Sequence, residues 1–135
     1  MSDTTKEAKT PPAYGRPLQD IIKDLSTEVP ATMLASKTLK GTKITFIPWY
    51  QATRLLDYYA PGWEYEVRGI VTVKDQLIVT VRLTIHAAEG SFTREATGIE
   101  DEEVSGYGDP ISNACSMALR RAAAHFGLGR YLYIK

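Results

Sequence analysis

The chain has 135 residues, 44% of them hydrophobic and 24% charged, and its 16 basic and 16 acidic side chains cancel. That length and balance predict one globular domain with room for a core, and exclude a long-range pull of the whole molecule on polyanions. The single cysteine, Cys115, excludes a disulfide framework within the chain and fits a reducing compartment.

No apolar run reaches the length of a membrane span, and the N-terminus lacks the apolar stretch of a secretory signal. The expectation is a soluble, cytoplasmic protein with no membrane partner, nucleoid-associated if the source is bacterial. Residues 1–15 are polar, without periodicity, and carry Pro11-Pro12, so they predict a disordered tail before a domain spanning 16–135. Arg16 to Val29 then places Leu18, Ile21, Ile22 and Leu25 on one helix face, bracketed by Pro17 and Pro30.

Ala35 to Gly41 reads as a basic loop carrying Lys37 and Lys40, and Lys43 to Ile47 as a short strand. Pro48 opens a helix that Pro61-Gly62 stops, with Trp49, Ala52, Leu55, Leu56 and Tyr59 facing inward. Three strands with period-two alternation follow: Trp63 to Lys74, Leu77 to His86 and Ser91 to Glu100. In the first, Trp63, Tyr65, Val67, Val71 and Val73 are expected on one face. Short connections make the three an antiparallel meander with one apolar face that needs a cover.

The cover is the last helix. Asp109 is a good N-cap, Pro110 suits the first turn, and Gly127 suits a left-handed C-terminal position. At about 100° per residue, Ile111, Cys115, Ala118, Leu119, Ala122 and Phe126 form the stripe expected to be buried. Ser116, Met117, Arg120, Arg121 and Ala124 lie on the other side. The fold expected is α+β: a three-stranded antiparallel meander, plus a short extra strand, packed on a C-terminal helix in the order β-β-β-α.

Catalytic chemistry finds no foothold. Glu100, Asp101, Glu102 and Glu103 are consecutive, so in an extended segment they point to opposite sides and make a poor cage for one ion. His86 and His125 have no second cysteine with which to build a zinc site, and no nucleophile motif or phosphate loop is present. Neither a metal, a cofactor nor an enzymatic activity is expected.

Charge, by contrast, is segregated. Lys37, Lys40, Lys43 and Arg54 fall in one stretch and Arg120, Arg121 and Arg130 in another, while acids concentrate between Glu89 and Asp109. A neutral molecule arranged so can hold a local basic groove for phosphates. Phe46, Tyr107 and Tyr131 offer stacking surfaces for unpaired bases, whereas Tyr131 and Tyr133 also suit packing behind the helix. On the residues alone, the arginine pair fits both a solvated helix face and a nucleic-acid surface.

ISNACSMALRRAAAHFGLGRYLY resembles the signature helix of the Rad-fifty-two-type single-strand annealing proteins, and more closely their bacterial and phage relatives, including the DdrA-type branch. KGTKITFIPWYQATRLLDYYAPGWEYEV resembles the family's strand, helix and Gly-Trp-strand segment, so the likeness runs from about Ala35 to Tyr133. The resemblance implies a homo-oligomeric ring or filament that binds single-stranded DNA and anneals strands or protects ends in recombination and repair, without ATP or metal. By position, Arg120 and Arg121 match the basic pair, Lys43 a basic residue before the first sheet strand, and Phe46 an aromatic within that strand. Lys37 and Lys40 lie where the family has another DNA-contacting basic residue. Ala124 departs from members that carry a third arginine there. With the chain ending at Lys135, no recombinase-recruiting tail is expected. The alternative is a double-stranded RNA-binding module, which shares the β-β-β-α outline with a basic last helix.

Overall fold

Six side chains at alternate positions of one strand, Leu77, Val79, Val81, Leu83, Ile85 and Ala87, are 7% exposed or less and form the floor of the core. The structure is a computed structural model and describes residues 15–101 and 109–134. Most of the expected N-terminal tail, with Glu102, Glu103 and Tyr107, lies outside the described residues. The elements run α1 (Leu18–Leu25), β1 (Ala35–Leu39), β2 (Thr42–Phe46), α2 (Trp49–Tyr59), β3 (Glu64–Val73), β4 (Gln76–Ala87), β5 (Gly90–Asp101) and α3 (Pro110–His125). A 3₁₀ turn spans Arg130–Tyr133. The fold is α+β: a three-stranded antiparallel sheet in the order β3-β4-β5 packs on α3, and β1-β2 form a separate hairpin.

The strip Ala35 to Gly41, expected as a loop, is instead mostly strand. Leu39 pairs with Thr42, leaving Lys40 and Gly41 as the two turn residues, both with positive φ (53° and 80°). That is the geometry of a type I′ turn, whose twist suits a tight hairpin. Short polar strands carry little hydrophobic signal, which is why composition alone reads as loop. Lys74 and Asp75 make the same kind of turn between β3 and β4, with φ of 50° and 66°.

The alternation expected along β3 breaks at a bulge between Val67 and Gly69. Tyr65 and Val67 stand opposite Leu83 and Val81 on the core side, but beyond the bulge it is Ile70, opposite Val79, that continues that side. The extra residue reverses the parity, so Val71 and Val73 turn to the other face. Nor is this strand covered, because α3 lies over β4 and β5. Tyr65, Val67 and Ile70 remain 48%, 44% and 47% exposed.

On the opposite face polar side chains pair across strands. Arg82 Nε donates to Glu95 Oε2 at 2.9 Å, and His86 joins Glu64 on β3 to Ser91 on β5, at 2.6 Å on each side. In α2, Ala52, Leu55 and Leu56 are buried as expected, but Trp49, in the first turn, is 53% exposed.

Candidate nucleic-acid interface

The last helix begins as its sequence dictates. Asp109 accepts from Ser112 N at 2.7 Å and Pro110 occupies the first turn. At the far end Leu128 N donates to Ala123 O and Gly127 N to Ala124 O, with Gly127 at φ 112°. Its buried arc is wider than the stripe expected and is built largely of alanine: Ala114, Ala118, Ala122 and Ala123, with Leu119 and Phe126. Small residues let the helix backbone come down on β5, where a Cβ at Gly98 would collide with the Ala114 carbonyl oxygen. Ile111, on the first turn, stays 50% exposed, and Cys115 is only half-buried. Burial raises the Cys115 thiol pKa above its ordinary value.

The hairpin and α3 face each other across a groove of about 290 Å³. Its pairing puts Lys37, Leu39, Ile44 and Phe46 on the face toward the helix. Arg120 Cζ lies 5.2 Å from the Phe46 ring centroid and Lys37 Nζ lies 5.4 Å from it, within cation–π range. One ring thus gathers cations from two elements far apart in sequence. Burial lowers the Arg120 pKa, opposed by the charge and hydrogen bond of Tyr133, while Arg121 adds to the lowering. Arg121 Nη1 donates to Thr97 O at 3.0 Å, which fixes that guanidinium at the groove's margin.

Four of the expected site residues therefore converge: Lys37, Phe46, Arg120 and Arg121. Others stand apart. Lys43 pairs with Thr38 on the alternate side of the hairpin, and Lys40 sits at its tip. Arg54 donates to Gln51 Oε1 at 3.2 Å. It is two residues on from groove-lining Ala52, about 200° around the helix, and so points away. Arg130 folds back on α3, donating to Ala124 O at 3.1 Å and His125 O at 3.0 Å. That cover leaves Ala124, expected on the open face, 8% exposed. Tyr131 is a packing residue, its hydroxyl accepting from Val29 N at 2.9 Å.

Tyr133 is the groove residue that sequence reasoning missed: it is 51% exposed and lines the cavity beside Arg120. The signal was present in Gly127 and Gly129, whose positive φ values turn the chain back along the helix. Among the described residues, no group of three or more His, Cys, Asp or Glu is placed to hold a metal ion, and no helix is long and apolar enough to cross a membrane.

No protein-family model matches the chain. Over 120 residues it is 39% identical to DNA repair RAD52-like protein 1, mitochondrial, from Arabidopsis thaliana, covering 87% of this chain and 68% of that protein. The chain belongs to the RAD52-like DNA repair protein family. A second plant relative, DNA repair RAD52-like protein 2, chloroplastic, is 40% identical over 122 residues, 87% of this chain and 61% of the relative. The chain thus spans about two thirds of the curated RAD52-like proteins it matches. Both relatives are plant proteins named for organelles, so they show the RAD52-like family but not the expected nearness to its bacterial and phage branch.

Proposed function

We propose that this RAD52-like chain acts in DNA repair and recombination by binding single-stranded DNA as a homo-oligomer and annealing complementary strands or protecting ends. The observation that carries the reading is the Phe46 ring with Arg120 and Lys37 over it, in a groove between hairpin and helix. Phosphates favour the cations, and apolar wall residues such as Leu39, Ile44 and Met117 favour the exposed surfaces of an unpaired strand. Binding and positioning suffice for annealing, so the reading needs no catalytic group, metal or nucleotide cofactor. The uncovered edge strand β3, with Tyr65, Val67 and Ile70 half exposed, supports self-association, because an unpaired apolar edge seeks a partner.

The test is fluorescence anisotropy of a labelled single-stranded oligonucleotide at two salt concentrations, with duplex DNA and duplex RNA as competitors. Tight, salt-sensitive binding displaced best by single strands is expected. Preferential displacement by duplex RNA would replace this reading with the double-stranded RNA module.

A further inference from the structure

Beyond Tyr133 lies a second recess of about 290 Å³, walled by Arg121, Ala124, His125, Arg130 and Tyr133. We infer that this recess is a second phosphate subsite for the same strand, and that Tyr133, which lines both cavities, divides one nucleotide from the next. The inference rests on the groove's holding single-stranded DNA.

Three features make the recess an anion site. Arg130 is already positioned: Nε and Nη2 donate to the carbonyls of Ala124 and His125. A guanidinium has five N–H donors, so two engaged leave three for a ligand, on a group that loses little freedom when it binds. Next, a helix C-terminus normally repels anions through its unpaired carbonyls. Here the His125 carbonyl accepts from both Arg94 and Arg130 and the Ala124 carbonyl from Arg130, so the negative end of α3 is neutralised from within. Finally, the charged and titratable side chains of the lining are Arg121, His125, Arg130 and Tyr133, with no carboxylate among them.

Continuity comes from two residues. Arg121 and Tyr133 line both the groove and the recess. Arg120 and Arg121 diverge by about 100° around the helix, so Arg120 serves the Phe46 side and Arg121 the boundary. A strand crossing Tyr133 meets Lys37 and Arg120 before it and Arg121 and Arg130 after it, with the phenol ring free to stack a base or sugar between them.

The experiment measures affinity for oligothymidylates of increasing length, over a salt series, for the full chain and for Arg130→Ala, His125→Glu and Arg120→Ala. On long strands Arg130→Ala is expected to weaken binding about tenfold, as loss of a charge-assisted contact does, and His125→Glu by a similar factor, because it sets a carboxylate beside the bound phosphate. Each should lower the log–log salt slope by about 0.7, one single-strand phosphate. On the shortest strand that wild type binds, both should match wild type. His125→Glu changes an exposed side chain whose neighbours are held through its backbone carbonyl, so it decides the matter even if Arg130→Ala unfolds. Unchanged slopes for both variants, with Arg120→Ala impaired at every length, would overturn the subsite while leaving the groove intact. Full binding by Arg120→Ala, or none by wild type, would instead bring down the groove reading and this inference with it.

Discussion

The Arg120 guanidinium carbon lies 5.2 Å from the centroid of the Phe46 ring, joining residues 74 positions apart (120 minus 46) at the mouth of one groove. Burial that lowers the arginine's pKa also leaves its charge weakly screened, so a phosphate approaching it gains more than at a solvated lysine. Arg120→Ala and Phe46→Leu are expected to weaken single-strand binding about tenfold or more. Lys43→Ala and Arg54→Ala, on side chains turned away from the groove, should stay within about twofold, the scale of a screened surface charge. Anisotropy titrations of the four variants at one salt check this; equal losses for all four would deny the groove its special role.

The self-association proposed for this chain is expected to depend on the core-side ledge of β3. Val67→Lys and Ile70→Lys introduce charge where the side chain is 44% and 47% exposed in the single chain, so the subunit should keep its fold. Light scattering should then report smaller particles than for wild type, with unchanged circular dichroism. Particles of wild-type size in both variants would move the assembly contact elsewhere.

Helix α3 approaches β5 at Gly98 so closely that any Cβ meets the Ala114 carbonyl. Gly98→Ala is expected to cost about 1–3 kcal/mol, as overpacking does when backbone must shift. Gly69 is the control: a Cβ there meets nothing within 4 Å. Gly69→Ala should be neutral or slightly stabilising, because it removes chain freedom from the unfolded state. Urea unfolding midpoints compare the two; equal destabilisation would show that glycine is wanted in these strands for some reason other than space.

Burial holds the Cys115 thiol protonated beyond its usual range. Iodoacetamide should therefore label native protein much more slowly than urea-unfolded protein at neutral pH, since the thiolate is the nucleophile. The sign for stability follows. A folded pKa above the unfolded one favours the folded state below the ordinary thiol pKa, and that advantage is lost as pH rises through the folded value. Stability of Cys115→Ala should accordingly fall less with alkaline pH than that of wild type; a steeper fall would contradict it.

Much of the fold was legible in the sequence because it is written in local chemistry. Asp109 and Pro110 start α3, Gly127 ends it, and the period-two run from Leu77 to Ala87 is the buried strand it describes. The short connections expected at Lys74-Asp75-Gln76 and Glu89-Gly90, which in the structure are two-residue turns at Lys74-Asp75 and Ala88-Glu89, left the three strands little choice but a meander. The signature around Arg120 and Arg121 also pointed to the RAD52-like family that two plant relatives share.

Other features are decided between elements, where local patterns are silent. A bulge at Arg68 depends on pairing with β4, so it reversed the faces of Val71 and Val73, and its trace in the alternation is only Gly69 where an apolar side chain would fall. The β1-β2 hairpin owes its strands to each other and its turn to Lys40 and Gly41, which composition reads as loop. Which basic residues share a groove is likewise a question of faces: Lys37 and Lys43 are six apart in sequence (43 minus 37), yet paired strands send one toward α3 and the other away. Sequence alone determined the elements and the cations they carry, because caps, periods and charges act over a few residues. Only the tertiary structure decided that Lys37, Phe46, Arg120 and Tyr133 meet, because their convergence depends on packing across 97 positions of chain (133 minus 37, counted inclusively).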